Sequence, residues 1–149
     1  MSAFLDAARS LVVPPVILTQ SRSLTPPGAE SARLEGHSDS VHALCVLPDG
    51  RLASGSRDYT IRLWDVKTGA ESARLEGHSK SVKALCVLPD GRLASGSSDN
   101  TIRLWDITGR REIARLEVDA QVGCLAALLD GRVVAADGNH RLHWLEIII

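Results

Sequence analysis

Short hydrophobic runs alternate with turn-forming residues along residues 30–147 of the chain. Residues 41–47 are nearly all apolar, as in a strand buried on both faces, whereas residues 60–66 alternate apolar and polar positions, as in a half-buried strand. Between residues 41–47 and 51–56 lies a Pro-Asp-Gly sequence that suits a hairpin turn. The pattern therefore predicts short antiparallel strands joined by tight turns.

The predicted strands come in sets of four. After residues 60–66, residues 71–76 form a further strand, whose charged side chains suit the outer edge of a sheet. Asp58 and Tyr59 mark the turn between the second and third strands. No segment has a convincing helical period, so the pattern predicts an all-β fold.

The set of four strands is repeated along the chain. Residues 30–65 recur as residues 71–106, and the two copies differ only at positions 39, 42, 57 and 59 of the first copy. Each copy carries a Gly-His pair near its start and a Trp-Asp pair near its end. A repeat of roughly 40–45 residues with these two pairs is typical of a β-propeller blade.

A third, weaker copy follows, in which Val118-Asp119 replaces the Gly-His pair and Leu145-Glu146 replaces the Trp-Asp pair. Terminal repeats often diverge in repeat proteins, because the end unit meets a different neighbour. We divide the chain into a lead-in segment at 1–29, expected to be partly disordered or to add one strand at 16–20, and three repeats at 30–70, 71–111 and 112–149.

The repeated pairs resemble those of the WD40-repeat family over about residues 30–147. The lead-in sequence Ser23-Leu-Thr-Pro-Pro-Gly28 and the ending Arg141-Leu-His-Trp-Leu-Glu-Ile147 also resemble the two ends of WD40 tails in large bacterial signalling ATPases, which suggests a propeller without its middle repeats. The resemblance implies an all-β chain of WD40-type β-propeller blades, about three four-stranded antiparallel blades per chain. It also implies a rigid binding platform rather than an enzyme.

The resemblance further implies a buried hydrogen-bonded tetrad in each full repeat. A buried indole N–H needs an acceptor, which a serine hydroxyl supplies, and an aspartate accepts from the histidine linked to that serine. Such a network fixes the strand order within a blade. No tetrad is expected in the third repeat, where the corresponding residues are Asp119, Asp137, Asn139 and Leu145. The implied tetrads are His37, Ser56, Asp58 and Trp64 in the first repeat and His78, Ser97, Asp99 and Trp105 in the second.

Serine, histidine and aspartate in one network also suggest a hydrolase triad, which the spacing alone does not exclude. A triad requires an accessible nucleophile and an oxyanion hole. The set here includes a tryptophan and occurs twice, and the chain has neither a Gly-x-Ser-x-Gly elbow nor a phosphate-binding Gly-x4-Gly-Lys loop. We expect no catalysis and no cofactor.

Other candidate sites have simpler explanations. His140 and His143 lie three residues apart on a predicted strand and so point to opposite faces, which makes a shared metal ion unfavourable. Arg62 and Arg103 admit a phosphate-binding role, against which stands a solvated strand face balanced by nearby acids. The cysteines are expected to be buried free thiols in a reducing, cytoplasmic environment, and they are Cys45, Cys86 and Cys124.

Composition narrows the range of partners. Lys and Arg number 17 and Asp and Glu number 18, for a formal net charge of -1, so the chain lacks the basic excess of a nucleic-acid binder. The longest apolar stretch near the N-terminus, Leu11 to Leu18, is too short to span a membrane. Two function classes remain. One is a protein-binding platform, and the other is a purely architectural propeller segment or a remnant of a larger signalling protein, with no ligand of its own.

In the WD40 family, partners often dock on the face that carries the Gly-His loops and the turn between the second and third strands. Of the four positions that differ between the first two repeats, two belong to this face and two adjoin it. Tuned binding and neutral drift both account for these differences. The resemblance implies a binding face of Ser40, His42 and Arg57, then Ser81, Lys83 and Ser98, then Gln121, Gly123 and Gly138.

The number of blades predicts self-association. Propellers need about 4–8 blades to close a ring, and the third set of strands, within residues 122–147, has no outer strand after it. Residues 30–35 are an unused outer strand at the other end of the repeats. Two copies that exchange this strand would form a closed six-blade ring with two-fold symmetry, so we expect a homodimer.

Overall fold

The structure, a computed structural model, describes residues 28–147. The described residues fall into two units, residues 28–33 and residues 34–147. The described part of the first unit, residues 28–33, contains an ion pair of 2.8 Å between Arg33 Nη2 and Glu30 Oε1. The candidate strand at 16–20 lies outside the described residues. All strands of the described region belong to the second unit.

The second unit consists of three antiparallel sheets, which we call blades 1, 2 and 3. Blade 1 comprises β1 (Val41–Val46), β2 (Leu52–Ser56), β3 (Ile61–Asp65) and β4 (Ala70–Leu75). Blade 2 comprises β5 (Val82–Val87), β6 (Leu93–Ser97), β7 (Thr101–Asp106) and β8 (Arg111–Glu117). Blade 3 comprises β9 (Val122–Ala127), β10 (Val133–Asp137) and β11 (Leu142–Leu145). Each strand pairs with the next one along the chain.

These sheets confirm the all-β prediction, with two four-stranded blades and one three-stranded blade. Within residues 28–147, β11 has no partner on its outer side. Residues 30–35 form no strand in the structure. The prediction that the third set lacks an outer strand therefore agrees with the described part of the chain.

Tight turns set the register of each blade. Gly50, Gly91 and Gly131 follow the first strand of their blades with φ of 90°, 92° and 94°, values that glycine adopts without strain. Tyr59 and Asn100 take positive φ in the next turn, where the preceding aspartate accepts backbone hydrogen bonds. The two hairpins predicted from the sequence therefore form in successive blades.

The core lies between the blades. We call the face of a blade that packs on the preceding blade its front face, and the opposite face its rear face. Ile61 and Leu63, on the rear of blade 1, pack in one cluster with Val82, Leu85 and Trp105, on the front of blade 2. The rear of blade 2 and the front of blade 3 form the next clusters, through Cys86, Ala94 and Leu104 against Leu125, Val133 and Leu145. Blade 2 is thus covered on both faces.

Candidate functional site

A hydrogen-bonded network occupies the front of blade 1, and its serine is not the predicted one. Trp64 Nε1 donates to Ser54 Oγ at 2.8 Å, and Ser54 Oγ lies 2.7 Å from His37 Nε2. His37 Nδ1 lies 2.8 Å from Asp58 Oδ2. Because a carboxylate only accepts, Nδ1–H donates to Asp58, and Ser54 O–H donates to the bare Nε2.

Blade 2 repeats this arrangement with the same distances. Trp105 Nε1 donates to Ser95 Oγ at 2.8 Å, Ser95 Oγ lies 2.7 Å from His78 Nε2, and His78 Nδ1 lies 2.8 Å from Asp99 Oδ2. Both serines are buried, so neither hydroxyl is accessible as a nucleophile. The network is suited to holding the blade together and not to attacking a substrate.

The prediction of Ser56 and Ser97 as tetrad members is wrong, and the sheet register explains why. Ser54 lies opposite Arg62, diagonal to Trp64 and on the same face. Ser56 lies two residues further, at the strand end, where Oγ donates to the Ser40 carbonyl at 2.8 Å and accepts from Asp58 N. Ser97 likewise donates to the Lys80 carbonyl and accepts from Asp99 N. Strand alternation places both candidate serines on one face, and only the register separates them.

The description of Arg62 and Arg103 as a solvated face is also wrong. Both are buried, at 7% and 4% exposed, and each spans two carboxylates of its own blade. Arg62 lies 3.2 Å from Glu71 and 3.7 Å from Asp58, and Arg103 makes the equivalent contacts with Glu112 and Asp99. With their charge already paired, these arginines are not available to a phosphate.

The network lowers the pKa of its aspartates. Burial alone raises the pKa of Asp99, but hydrogen bonds from Thr101, His78 and the Ser79 backbone outweigh burial and bring it to about 2. The pKa of Asp58 is lowered for the same reasons. Burial lowers the pKa of His78 below 6.5, although Asp99 opposes that shift. The folded network therefore favours a neutral His78 beside an ionised Asp99.

Blade 3 has no such network within the described residues. Ala135 takes the place of Ser54 and Ser95, and Leu145 takes the place of the tryptophan. Asp137 instead accepts from His143 Nε2 at 2.7 Å, and this hydrogen bond, together with the backbone N–H groups of Arg141 and Asn139, lowers the pKa of Asp137 to about 2. No group of His, Cys, Asp and Glu in the described region has the arrangement of a metal site.

The predicted binding residues lie at one end of the blades, which we call the upper edge. The Arg57 N–H donates to the Ser40 carbonyl at 2.8 Å, Ser98 to Ser81 at 2.9 Å, and Gly138 to Gln121 at 2.9 Å. Ser98 Oγ also lies 3.1 Å from Gln121 Oε1, which connects blade 2 to blade 3. The remaining upper-edge residues are His42, Lys83 and Gly123.

Each blade has a β-bulge at its upper edge that the sequence pattern does not predict. The register shifts between Val41 and Ala43, between Val82 and Ala84, and at the start of β9. His42, Lys83 and Gly123 are the extra residues at these bulges and are left out of the pairing between the strands. At His42 and Lys83 the bulge also redirects the side chain. Because the strand patterns before and after each bulge are both apolar, periodicity gives no signal of the inserted residue.

The cysteines, all within residues 28–147, are free thiols. Burial raises the pKa of Cys45 and Cys86 to about 11, which makes them poor nucleophiles. The expectation of a buried Cys124 is wrong, because Cys124 is exposed. It lies on the rear of blade 3, which no further blade covers within the described region. No helix among the described residues is long and apolar enough to cross a membrane.

Comparisons with known proteins show which family these blades resemble. The family model "WD domain, G-beta repeat" matches residues 28–65 and 69–106, just over half of the chain. The crystal structure of the WD40 β-propeller domain of Doa1 matches with a TM-score of 0.72 at 25% identity, over 75% of this chain and 38% of that chain. The ribosome biogenesis protein BOP1 of Rattus norvegicus is 49% identical over 53 residues.

The match to BOP1 covers 34% of this chain and 7% of BOP1, so this chain corresponds to a small part of that relative. The resemblance to the tails of bacterial signalling ATPases stays a prediction. The family model matches two repeats with intact Gly-His and Trp-Asp pairs, and these repeats form blades with the same hydrogen-bonded network. A propeller is also a structural neighbour of the chain. The chain belongs to the WD40-repeat family.

Proposed function

We propose that this chain is a non-catalytic interaction scaffold whose upper edge binds a protein partner. WD40 domains generally mediate protein–protein interactions and are generally not catalytic. The observation that carries the proposal is the location of the differences between blades 1 and 2, at positions 39, 42, 57 and 59 and their counterparts 80, 83, 98 and 100. All four lie in the loops and bulges of the upper edge, whereas the cores are identical.

Charge reversal on the upper edge tests this function. Arg57→Glu with Lys83→Glu changes two cations that take no part in the buried networks, so folding is retained because surface substitutions usually cost within about 0.5 kcal/mol. Lys67→Glu, in the turn at the opposite edge of blade 1, is the matched control. Capture from extract with each variant identifies the partner, and calorimetry with the purified partner then measures its affinity.

The scaffold function predicts that the double variant loses at least tenfold in affinity and that Lys67→Glu retains it. If the unchanged chain, the double variant and Lys67→Glu bound the partner with equal affinity, the upper edge would not be the binding site. Absence of a saturable partner would favour the architectural alternative. Free thiols suit a reducing compartment, so we propose a cytoplasmic location. The paired arginines and the net charge of -1 give no support for nucleic-acid binding.

We also propose that two copies complete one propeller. An apolar groove of about 280 Å³ opens between β8 and β11, where the outer strand of blade 3 would lie. Leu75, on β4, is 2% exposed, whereas its counterpart Leu116, on β8, is 42% exposed. The same leucine is therefore covered at one junction and uncovered at the next. Most of the lining is apolar, with Arg115 and Glu146 as its two charged residues. The apolar lining residues are Ile102, Leu104, Ala114, Leu116, Trp144, Leu145 and Ile147.

A second copy of this chain contains a segment with the chemistry of the outer strand that blade 3 lacks within residues 28–147. Residues 30–35 read Glu-Ser-Ala-Arg-Leu-Glu, as do residues 71–76, most of which form β4 in blade 1. In the register of the other blades, Leu75 opposes Ile61 and Leu116 opposes Ile102. Leu34 of the second copy would oppose Leu142 in the same way. The exchange is reciprocal and gives six blades, within the range that closes a ring.

A further inference from the structure

The first and last blades of the described region expose opposite faces. Leu44, on the front of blade 1, is 63% exposed, whereas its counterpart Leu85 is 9% exposed against blade 1. Trp144, on the rear of blade 3, is 59% exposed, whereas its counterpart Leu104 is buried against blade 3. The front of blade 1 has the same residues as the front of blade 2, so it presents the surface that already packs on a blade rear.

The rear of blade 3, however, is bulkier than the two rear faces that are covered. Val134 stands where blades 1 and 2 have an alanine, Ala136 where they have a glycine, and Trp144 where they have a leucine. In blades 1 and 2 these smaller residues are all buried, and they are Ala53, Gly55 and Leu63, then Ala94, Gly96 and Leu104.

The glycine position measures how closely two blades approach. A Cβ added at Gly55 would lie 2.6 Å from Val82 Cγ1, and one added at Gly96 would meet Val122 Cγ1 still more closely. Each glycine therefore makes room for the valine at the start of the next blade. On blade 3 the residue is Ala136, whose Cβ occupies this space. Val41 of a second copy cannot approach blade 3 as Val82 approaches blade 1.

The indole of Trp144 adds to the obstruction. Arg132 lies over the ring, with Cζ 5.1 Å from the ring centroid, in a cation–π contact that holds the indole against the blade. Overfilling of a packed face forces the backbone apart or drives side chains off their rotamers. A blade docked on this face therefore sits further away than the spacing within the chain allows.

We infer that Val134, Ala136 and Trp144 act as a wedge that holds the rear of blade 3 apart from blade 1 of a second copy. This inference rests on the proposed closure of two copies into one ring. The wedge makes the junction between copies weaker than the junctions within a chain, so the ring opens reversibly at these two places. The strand exchanged in the groove then provides most of the free energy of association between the two copies.

A variant that restores the repeat residues tests the wedge. Val134→Ala, Ala136→Gly and Trp144→Leu together give blade 3 the rear face of blades 1 and 2. Ala126→Gly is the matched control, because it introduces a glycine on the same face where blades 1 and 2 have the larger Cys45 and Cys86. Sedimentation equilibrium measures the dimer dissociation constant of each protein, and circular dichroism confirms that each is folded.

The wedge predicts that the triple variant dimerises at least tenfold more tightly than the unchanged chain and that Ala126→Gly does not. Because Trp144 also lines the groove of the exchanged strand, the variant Val134→Ala with Ala136→Gly is measured beside the triple variant. A measurable dimer whose affinity is unchanged or reduced in both folded variants would overturn the wedge and leave the closure intact. A chain and a triple variant that both remain monomeric would overturn the closure as well. Association of the triple variant alone would support the wedge but contradict the closure of the unchanged chain.

Discussion

Trp64 and Trp105 are buried because a serine hydroxyl accepts each indole N–H. The serine in turn orients a histidine, and the histidine orients an aspartate that also receives two backbone N–H groups. Each polar atom of the network thus has a partner. A substitution that removes one member leaves the others buried without theirs, which is costly in a low-dielectric interior.

Trp105→Phe removes the donor and part of the ring while it keeps an aromatic side chain. We expect the free energy of unfolding to fall by about 1–3 kcal/mol, because Ser95 loses a partner in a buried site. Trp144→Phe should change stability little, since Trp144 is largely exposed and belongs to no such network. Urea denaturation of both variants checks this, and a larger loss for Trp144→Phe would mean that the third repeat is misaligned.

The second network also predicts how stability depends on pH. The pKa of His78 lies below its ordinary value of 6.5 in the folded chain. At a pH between the folded and the ordinary pKa, the unfolded chain therefore binds a proton at this histidine that the folded chain does not. Stability should be full above about pH 6.5 and fall on acidification. Asp99, with a pKa of about 2 against its ordinary 3.8, adds a further loss between about pH 4 and pH 2.

Urea denaturation at pH 7.5, 6.5, 5.5 and 4.5 measures the histidine contribution. His78→Gln retains a polar side chain but removes the titration, so its stability should change less between pH 7.5 and 5.5. A stability that rises on acidification, or a slope that is unchanged in His78→Gln, would contradict the assignment of a neutral buried imidazole.

At the residue scale, the sequence predicted the types of the network residues but not every position. His37, Asp58 and Trp64 were identified from their motif and do meet in the structure. Ser54 was missed, because residues two apart on a strand share a face and only pairing with Arg62 distinguishes them. The burial of Arg62 was missed too, because its apolar neighbours mark a covered strand as well as a half-exposed one.

Individual strands, by contrast, follow directly from the pattern. Alternation and Asp-Gly turns predicted the hairpins, and the strand bounds agree with the predicted runs to within about two residues. The bulges at His42, Lys83 and Gly123 were not predictable in this way. An inserted residue leaves no trace in a run that is apolar on both faces.

The approach of neighbouring strands gives an element-level prediction. Gly96→Ala places a Cβ against Val122 at the junction of blades 2 and 3 and should destabilise the chain by about 1–3 kcal/mol through overpacking. Gly123→Ala is the control, since nothing lies within 4 Å of its added Cβ. Thermal unfolding of both variants checks this. Equal melting temperatures would mean that blades 2 and 3 pack less closely at Gly96 and Val122 than in the structure.

At the scale of the whole molecule, the repeat alone predicted the propeller blades, because near-identical sequences make equivalent sheets. It also indicated which blade lacks an outer strand. The wedge on the rear of blade 3 was not visible in the sequence, because it depends on knowing that Gly55 and Gly96 face the next blade. Substitutions in the divergent third repeat resemble neutral drift in the sequence. Their steric effect is recognised only when it is known which face of the blade they lie on.

The exchanged strand gives a variant that separates closure from other kinds of association. Ala32→Pro with Arg33→Pro removes two successive N–H groups from residues 30–35, and in an antiparallel strand one of two successive groups points to the partner. The pair of prolines should therefore prevent pairing with β11 while leaving the three blades folded. Ala32→Ser, at the same position, should not.

Multi-angle light scattering on the purified 149-residue chain tests the closure most directly. We expect a folded species of about twice the 16.0 kDa mass of one chain, and a species near 16.0 kDa for the proline variant. Ala32→Ser should behave as the unchanged chain does. A stable, well-folded species near 16.0 kDa for the unchanged chain, at concentrations where the proline variant has the same mass, would contradict the ring of two copies.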